Sequence, residues 1–251
     1  MSNPLQFQQN IVGLWIIVNL QNMKTYILAI ILILLAYRMV NAQKCSQIDF
    51  DAIYAQTENP KSNYYYPKLL KRYQNLDTTL NREEYKHLYY GYTHSKMYNP
   101  MDNRSTYLRS LVEQNKLEEA KKIIKELEKD NPVNINLCYS KGLLAFFEKD
   151  EKQLQISSQQ TRALLNAILT SGDGKSEEKA MVVINIEDEY MILKMIKFGF
   201  LNRETTKCCD IFELETPTKE KVKIYFNKEK SSEFIAKMLE NNLKPEERKK
   251  N

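Results

Sequence analysis

The side chains best suited to acid–base chemistry stand in one acidic run. Glu187, Asp188 and Glu189 are consecutive and directly precede Tyr190. Paired carboxylates can exchange protons with a substrate, so this run is a candidate for general acid–base catalysis. The same residue types also occur routinely at helix starts and strand ends. The run alone therefore leaves catalysis and a structural role both open.

The two histidines are the next candidates for chemistry. His87 and His94 are seven residues apart, whereas helical metal-binding pairs are usually four apart, and a site needs a third ligand. We therefore predict no metal and no cofactor. The chain also lacks a Gly-x-Ser-x-Gly nucleophile elbow. A Cys–His pair stays open, because such partners meet only in the fold.

The segment from Ser171 to Ser176 (SGDGKS) partly matches a phosphate-binding loop. Such a loop needs a further glycine where this chain has Leu169, and it follows a strand and opens a helix. Here we expect a helix before the segment and a strand after it, so the amides would not converge on a phosphate. We predict a polar connection between two layers instead.

Tyrosines crowd one region of the chain. Tyrosine buries a large ring and keeps a polar tip, which suits both cores and interfaces. We expect half or more of these side chains in packing, and we expect His87 and Tyr90 to be exposed. The candidate binding surface consists of His87, Tyr90, Tyr98, Asp173 and Glu189. The region holds Tyr64, Tyr65, Tyr66, Tyr73, Tyr85, Tyr89, Tyr90, Tyr92 and Tyr98.

Three functions are compatible with these residues. The first is a non-enzymatic protein-interaction module that binds an unidentified protein partner. The second is an enzyme, hydrolase-like in activity, whose pocket joins His87, Tyr90, Asp173 and Glu189. The third is an immunity- or inhibitor-type binding protein. We favour the first, because no complete catalytic set is present.

The elements that must position these residues begin with helices. Residues 48–74 show a loose helical pattern interrupted at Pro60 and Pro67. Asn81 and Glu84 have the spacing of a capping box. The helix that follows carries an apolar stripe at helical spacing, made of Tyr85, Leu88, Tyr89 and Tyr92.

Residues 108–169 read as helical hairpins. The spacing of Ala120, Ile124, Leu127 and Pro132 matches the second helix of a tetratricopeptide repeat, and Gly142 falls at the close-packing position of the next repeat. That next repeat is incomplete, since Ser158 and Thr161 stand where packing residues belong. Repeat arrays usually need three or more units to bury a core, so we predict a helical layer that rests on something else.

Strand patterns fill the last part of the chain. We predict strands at 181–186, 209–214 and 221–227, and a strand or short helix at 190–196. Val222, Ile224 and Phe226 should face inward, and Ser232 should cap a closing helix.

The predicted fold class is α+β: incomplete tetratricopeptide-like hairpins packed on a small, mainly antiparallel sheet with a closing helix. We predict one domain over 43–242, with a helical layer at 43–170 and the sheet with its helix at 180–242. Residues 243–251 are predicted to be a flexible tail.

The first 42 residues predict export. Met23 and Lys24, the apolar run 27–37 and the small residue Ala42 form the three parts of a signal peptide. We expect Met23 to be the true start; the alternative joins the apolar patch 11–20 to this run as a membrane anchor. Cys45 follows Lys44 and not a small residue, which argues against a lipid anchor. We predict a protein of the periplasm or cell exterior.

The charge and the cysteine content limit the classes of partner and the possible disulfides. Removing Lys24 and Arg38 with the signal region lowers the formal net charge from +5 to +3, with both signs interspersed, which argues against nucleic acid. The four cysteines are Cys45, Cys138, Cys208 and Cys209, and three pairings are open. We expect Cys138 to be buried and at most one disulfide to form.

Several separate stretches resemble one known family. The chain is similar to exported Bacteroidetes proteins that share the domain of unknown function DUF4919. The resemblance implies export and one continuous domain, and it implies no activity. It rests on residues 66–73 (YPKLLKRY), 77–80 (DTTL), 84–92 (EYKHLYYGY), 98–100 (YNP), 171–176 (SGDGKS), 189–190 (EY) and 225–227 (YFN).

Overall fold

The computed structural model describes the backbone of residues 46–243 and the side chains of residues 46–241. Residues 1–45, which include the predicted signal region 1–42 and Cys45, and residues 244–251 lie outside this range, and so do the predictions made for them. No helix within 46–243 has the length and apolar character needed to cross a membrane.

The described residues form an α+β fold, as predicted, with helices first and a small sheet near the end. The helices are α1 Phe50–Glu58, α2 Tyr66–Gln74, α3 Arg82–Gly91, α4 Arg104–Glu113, α5 Leu117–Asp130, α6 Ile135–Glu148, α7 Glu151–Leu169, α8 Ile186–Ile196 and α9 Glu229–Leu243, with a short 3₁₀ turn at Tyr92–His94. The strands are β1 Met181–Val182, β2 Gly199–Thr205, β3 Cys209–Glu215 and β4 Lys221–Asn227.

Local signals set the ends of the first helices. The Asn81 side chain accepts from the Glu84 N–H at 3.0 Å, and the Glu84 carboxylate accepts from the Asn81 N–H at 2.8 Å. This is the predicted capping box, and it satisfies two backbone donors at the start of α3. Pro67 does not interrupt a helix; it lies in the first turn of α2, where a missing N–H costs nothing.

The hairpins of the middle region are present. Helices α4 to α6 enclose a second apolar cluster that includes Leu108, Leu111, Leu127 and Leu137. Helix α7 then returns along α6. At the crossing, a Cβ added to Gly142 would lie 3.5 Å from the Ser157 Cβ, which is ordinary contact distance.

The sheet has the order β1-β4-β3-β2 and is mixed. Strands β2, β3 and β4 pair antiparallel, whereas β1 pairs parallel with β4. Phe212 and Phe226 are fully buried, and Val222 and Ile224 pack partly buried against the same core. The inward alternation predicted for β4 is therefore confirmed.

Three predictions in this region were wrong or incomplete. Only Met181–Val182 of the predicted strand 181–186 pairs as a strand, because α8 already begins at Ile186. Residues 190–196 are helical, and their helix ends at Lys197, which has the left-handed conformation (φ 55°). Strand β2 was missed, because it is an edge strand with mostly exposed side chains and no apolar alternation.

The prediction of a closing helix was correct, but its predicted start at Ser232 was wrong. Helix α9 begins at Glu229, whose N–H donates to the Asn227 side chain at 3.0 Å. Ser232 lies inside the helix, where its N–H donates to the Lys228 carbonyl at 2.9 Å. The helix runs to Leu243, the first residue of the predicted tail.

Candidate functional site

The side chain of His87 is part of the packing between α3 and the loop that connects α1 to α2. Its ring stacks on Tyr64, with 3.9 Å between ring centroids, and its Nδ1 lies 2.7 Å from the Glu83 carbonyl. Only 8% of the residue is exposed, so the prediction of exposure was wrong. Burial lowers the pKa of His87, which favours the neutral imidazole.

Tyr90 was also predicted to be exposed and is fully buried. Its hydroxyl lies 3.2 Å from the Ala167 carbonyl and 3.0 Å from the Val182 carbonyl. Tyr98 similarly donates to the Ile184 carbonyl at 2.6 Å. Because β1 is only two residues long, the buried backbone around its end needs side-chain partners. Tyr90 supplies one to Val182, and Tyr98 supplies one to Ile184.

The acidic run lies in the first turn of α8, and its carboxylates point to different elements. Glu187 accepts from the hydroxyls of Ser105 and Thr106 on α4, the latter at 2.6 Å. Asp188 accepts from the Tyr89 hydroxyl at 2.6 Å. Burial raises the pKa of Asp188 to about 7. Of the two roles left open, this geometry matches a helix start that ties layers together.

Glu189 faces the sheet and enters a buried ionic cluster. Asp210 is the acceptor at its centre, with donors on Arg203 at 2.5 Å, Thr205 at 2.6 Å and Lys228 at 2.9 Å. Glu189 lies 3.8 Å from the Arg203 guanidinium, too far for a hydrogen bond, and neither of its carboxylate oxygens has a hydrogen-bond partner.

The two acids of this cluster are held in different protonation states. Burial, followed by the charge of Asp210, raises the pKa of Glu189 to about 9, so Glu189 is protonated at neutral pH. Burial alone would raise the pKa of Asp210, but its three donors outweigh burial and lower it. Both side chains have no exposed surface, so a substrate in solution reaches neither carboxylate.

The glycine-rich segment is a structural connection between α7 and β1, in the helix-before-strand order expected from the sequence. A Cβ on Gly172 would lie 2.4 Å from the Ala180 carbonyl oxygen, so only glycine fits. The Gly174 N–H donates to the Lys179 carbonyl at 2.8 Å. Asp173 is exposed, and its carboxylate accepts from the Lys175 N–H at 2.9 Å.

The predicted enzyme pocket requires His87, Tyr90, Asp173 and Glu189 to converge. Among residues 46–243, no hydrogen bond, ion pair or ring contact joins any two of them, and their partners lie on different elements. His94 instead lies 2.6 Å from the Glu58 carboxylate. Within the same range, no group of three histidine, cysteine or acidic side chains has the arrangement of a metal site.

A groove between α6 and α7 is the concave feature that the sequence did not predict. It encloses about 610 Å³ and is closed at one side by Met195 of α8. Its walls expose apolar side chains that a folded domain normally covers: Phe146 is 63% exposed, Met195 57% and Leu169 51%. The volume is within the range of known binding pockets.

Small side chains make the floor of the groove. Gly142 contributes no side chain, and Ser157 and Thr161 contribute short ones. The Ser157 hydroxyl accepts from the Gln153 amide at 2.8 Å, and the Thr161 hydroxyl donates to the Ser157 carbonyl at 2.8 Å. Because these hydroxyls are already hydrogen-bonded, the floor presents mainly apolar surface to an occupant.

The groove has one uncommitted charge and one unreactive thiol. Arg162 is exposed and makes no ion pair with a described carboxylate. Cys138, also at the groove, is 2% exposed and lies 2.9 Å from the Tyr73 hydroxyl. Burial raises the pKa of Cys138, which disfavours the nucleophilic thiolate.

The sequence held one signal of this groove. Ser158 and Thr161 stand where a tetratricopeptide repeat has packing residues, and both line the groove. The position of Met195 against it could not be foreseen, because α8 reaches the groove only through the tertiary fold.

Comparison with known proteins gives a family and no activity. The profile described as "Domain of unknown function (DUF4919)" matches residues 51–237. No curated protein and no solved structure matches the chain.

Proposed function

The chain belongs to the DUF4919 family, and we propose that it is an exported, non-enzymatic protein-interaction module that binds its partner in the α6/α7 groove. The observation that carries the proposal is the groove itself: about 610 Å³ of mainly apolar surface, bordered by exposed Phe146, Leu169 and Met195. Covering such surface is favourable by about 25 cal/mol for each Å² removed from water.

Binding accounts for the groove better than catalysis does. The hydroxyls of its floor are bonded within α7, and its thiol is buried and protonated. Arg162 is the charged side chain among its lining residues. A hydrolase-like site would need a nucleophile with an adjacent base, and the groove offers no such pair.

Export is supported by the cysteines as well as by the N-terminal pattern. Cys208 is disulfide-bonded, whereas Cys138 and Cys209 are free. Disulfides persist mainly in oxidising compartments such as the periplasm and cell exterior.

We expect non-reducing peptide mapping of the protein purified from its producing cells to find Cys208 in a disulfide. Cys45, which lies outside the described residues, is the remaining cysteine of the sequence and the expected partner. Alkylation before reduction should label Cys138 and Cys209 only after unfolding, because both are buried. A reduced Cys208, or recovery of the protein in the cytoplasmic fraction, would contradict export.

Filling the groove should weaken partner binding at least about tenfold without unfolding the protein. Ser158 is exposed and lines the groove, so Ser158→Trp places an indole where the partner would lie. Gln155→Trp is the matched control, since Gln155 is exposed on the same helix and does not line the groove. We expect at least about a tenfold loss of partner retention for the first variant, equivalent to about 1.4 kcal/mol, and none for the second.

The measurement is site-specific photo-cross-linking in the producing cells. A photoreactive phenylalanine analogue at Phe146 should capture a partner, and Ser158→Trp should remove that adduct. The same analogue at Gln155 should capture none. Equal adducts at both positions, or an adduct that Ser158→Trp leaves unchanged, would place the interaction elsewhere and overturn the groove as the binding site.

A further inference from the structure

We infer that the occupant of the α6/α7 groove is an amphipathic α-helix of a partner protein, about four turns long, with a carboxylate that pairs with Arg162. The inference rests on the proposed function and adds the class of partner. Three properties of the groove carry it: its length, its apolar spacing and the position of its one charge.

The length of the groove matches a helix. Its α7 wall runs from Leu154 to Leu169, which is about 22 Å at 1.5 Å per residue, the rise of four helical turns. The opposite wall consists of α6 from Cys138 to Phe146, about 12 Å long, and of Met195 on α8. The channel between two packed helices is the shape that a third helix fills in helical repeat arrays.

The apolar side chains along the walls recur at helical spacing. On α6, Tyr139, Leu143 and Phe146 follow at intervals of four and three, and on α7 Leu165 and Leu169 are four apart. An opposing helix would meet these rows with apolar residues at positions i, i+3 or i+4, and i+7, the pattern used by helices that bind in grooves.

The position of Arg162 distinguishes a helix from a lipid-like ligand. Arg162 is eight residues after Leu154 and seven before Leu169, so it lies near the middle of the groove. A fatty acid carries its carboxylate at one end, and a mid-groove cation would then leave half of the apolar channel empty. A helix can present a carboxylate at its centre with apolar side chains on both sides.

The charge of Arg162 is available for a partner. Lys141, which neighbours Gly142 on α6, is already paired with Glu128 at 2.5 Å, and Lys194, which precedes Met195, is paired with Glu113 at 3.2 Å. Arg162 has no such partner among the described residues. Guanidinium groups form bidentate pairs with carboxylates, so Asp or Glu on the helix is the complementary residue.

The inference is tested by selecting peptides against the full protein purified from its producing cells. A displayed library of randomised 18-residue peptides is enriched for binding, with the Ser158→Trp protein used to remove peptides that bind elsewhere. We expect enriched sequences to carry apolar residues at i, i+3 or i+4, i+7 and i+11, with a central Asp or Glu. Circular dichroism of the bound peptides should show helix.

A charge exchange tests the role of Arg162. Arg162→Glu should weaken the enriched peptides at least about tenfold, and replacing their acidic residue with lysine should restore binding to this variant. Arg162 is exposed, so unchanged thermal unfolding of the variant is the expected folding control. Four outcomes would each overturn the inference. The first two are enriched peptides that bind in an extended conformation and binding that does not change with the charge of residue 162. The other two are a fatty acid that occupies the groove when no peptide does, and no enrichment at all.

These outcomes separate this inference from the proposed function. If cross-linking at Phe146 captures a cellular partner that Ser158→Trp releases, but no helical peptide is selected, the groove is an interaction site and its occupant is not a helix. If neither occurs, both the function and the occupant are wrong.

Discussion

Replacing Asp210 with alanine is expected to lower the free energy of unfolding by about 3 kcal/mol, the lower end of the cost of breaking a buried ion pair. Asp210 has no exposed surface and accepts hydrogen bonds from Arg203, Thr205 and Lys228. Its loss leaves two cations without their acceptor. Both remain partly exposed, with 31% of the Arg203 side chain and 14% of the Lys228 side chain in contact with solvent, which keeps the cost at that lower end.

The neighbouring Glu189 should limit this loss. It lies 3.8 Å from Arg203 and is the next carboxylate of the cluster. Without Asp210, the repulsion that helps to raise its pKa disappears, so Glu189 can ionise and pair with Arg203. The Asp210→Ala change should therefore cost at least about 1 kcal/mol more in a Glu189→Gln background, because residues of one ionic network are not additive.

Denaturant unfolding of the four proteins of this double-mutant cycle measures both effects. Glu213→Ala is the control, since Glu213 lies on the same strand and forms a longer, more exposed pair with Lys221 at 3.9 Å. That change should cost at most about 1 kcal/mol. An equal cost for Asp210→Ala in both backgrounds would show that Glu189 does not replace Asp210.

Features set by residues close in sequence were predictable. The two residues of the capping box, Asn81 and Glu84, are three positions apart, and the alternation of β4 repeats every second residue. Each pattern can therefore be recognised within a few consecutive residues. The order of helices before a sheet follows from the same local patterns. Such signals do not depend on what packs against the element.

Burial of a second helical face was not predictable. The stripe of Tyr85, Leu88, Tyr89 and Tyr92 marks one face of α3 and the start of the following 3₁₀ turn as buried, and this is correct. His87 and Tyr90 lie off that stripe, yet they are buried because α3 is packed on both sides, by the Tyr64 loop and by the backbone near Val182. The burial of a tyrosine is hard to predict from sequence, because its polar hydroxyl is compatible with either an exposed position or a buried hydrogen bond.

The acidic run does not converge on one pocket, for a related reason. The sequence shows three consecutive acids, but consecutive residues on a helix point in different directions, so their carboxylates cannot share one pocket. The Asp188 carboxylate accepts from the Tyr89 hydroxyl, whereas the Glu189 carboxylate lies near the Arg203 guanidinium. Tyr89 and Arg203 are on different elements, α3 and β2. The groove, in turn, forms where the small residues Gly142, Ser157 and Thr161 lie between α6 and α7. Small residues give little hydrophobic periodicity in the sequence, so the groove was hard to predict.

Replacing Glu189 with glutamine should make the protein more stable, by an amount that grows as the pH rises. The pKa of Glu189 is raised from 4.5 to about 9, mainly by burial. Below pH 4.5 the carboxyl is protonated in both the folded and unfolded states, so its ionisation costs nothing. Between pH 4.5 and about 9 only the unfolded state ionises, and the stability of the wild-type protein falls by up to about 1.4 kcal/mol per pH unit.

Glutamine has nearly the same shape and no charge, so it removes this dependence. Glu189→Gln should therefore match the wild-type stability near pH 4 and exceed it by about 3 kcal/mol at pH 7, 2.5 pH units above the unfolded pKa. The measurement is urea unfolding of both proteins from pH 4 to pH 9, with the exposed Glu220→Gln as the control, which should keep the wild-type profile. Parallel profiles for Glu189→Gln and wild type would mean that Glu189 is ionised in the folded protein and that Arg203 is shared between two charged carboxylates.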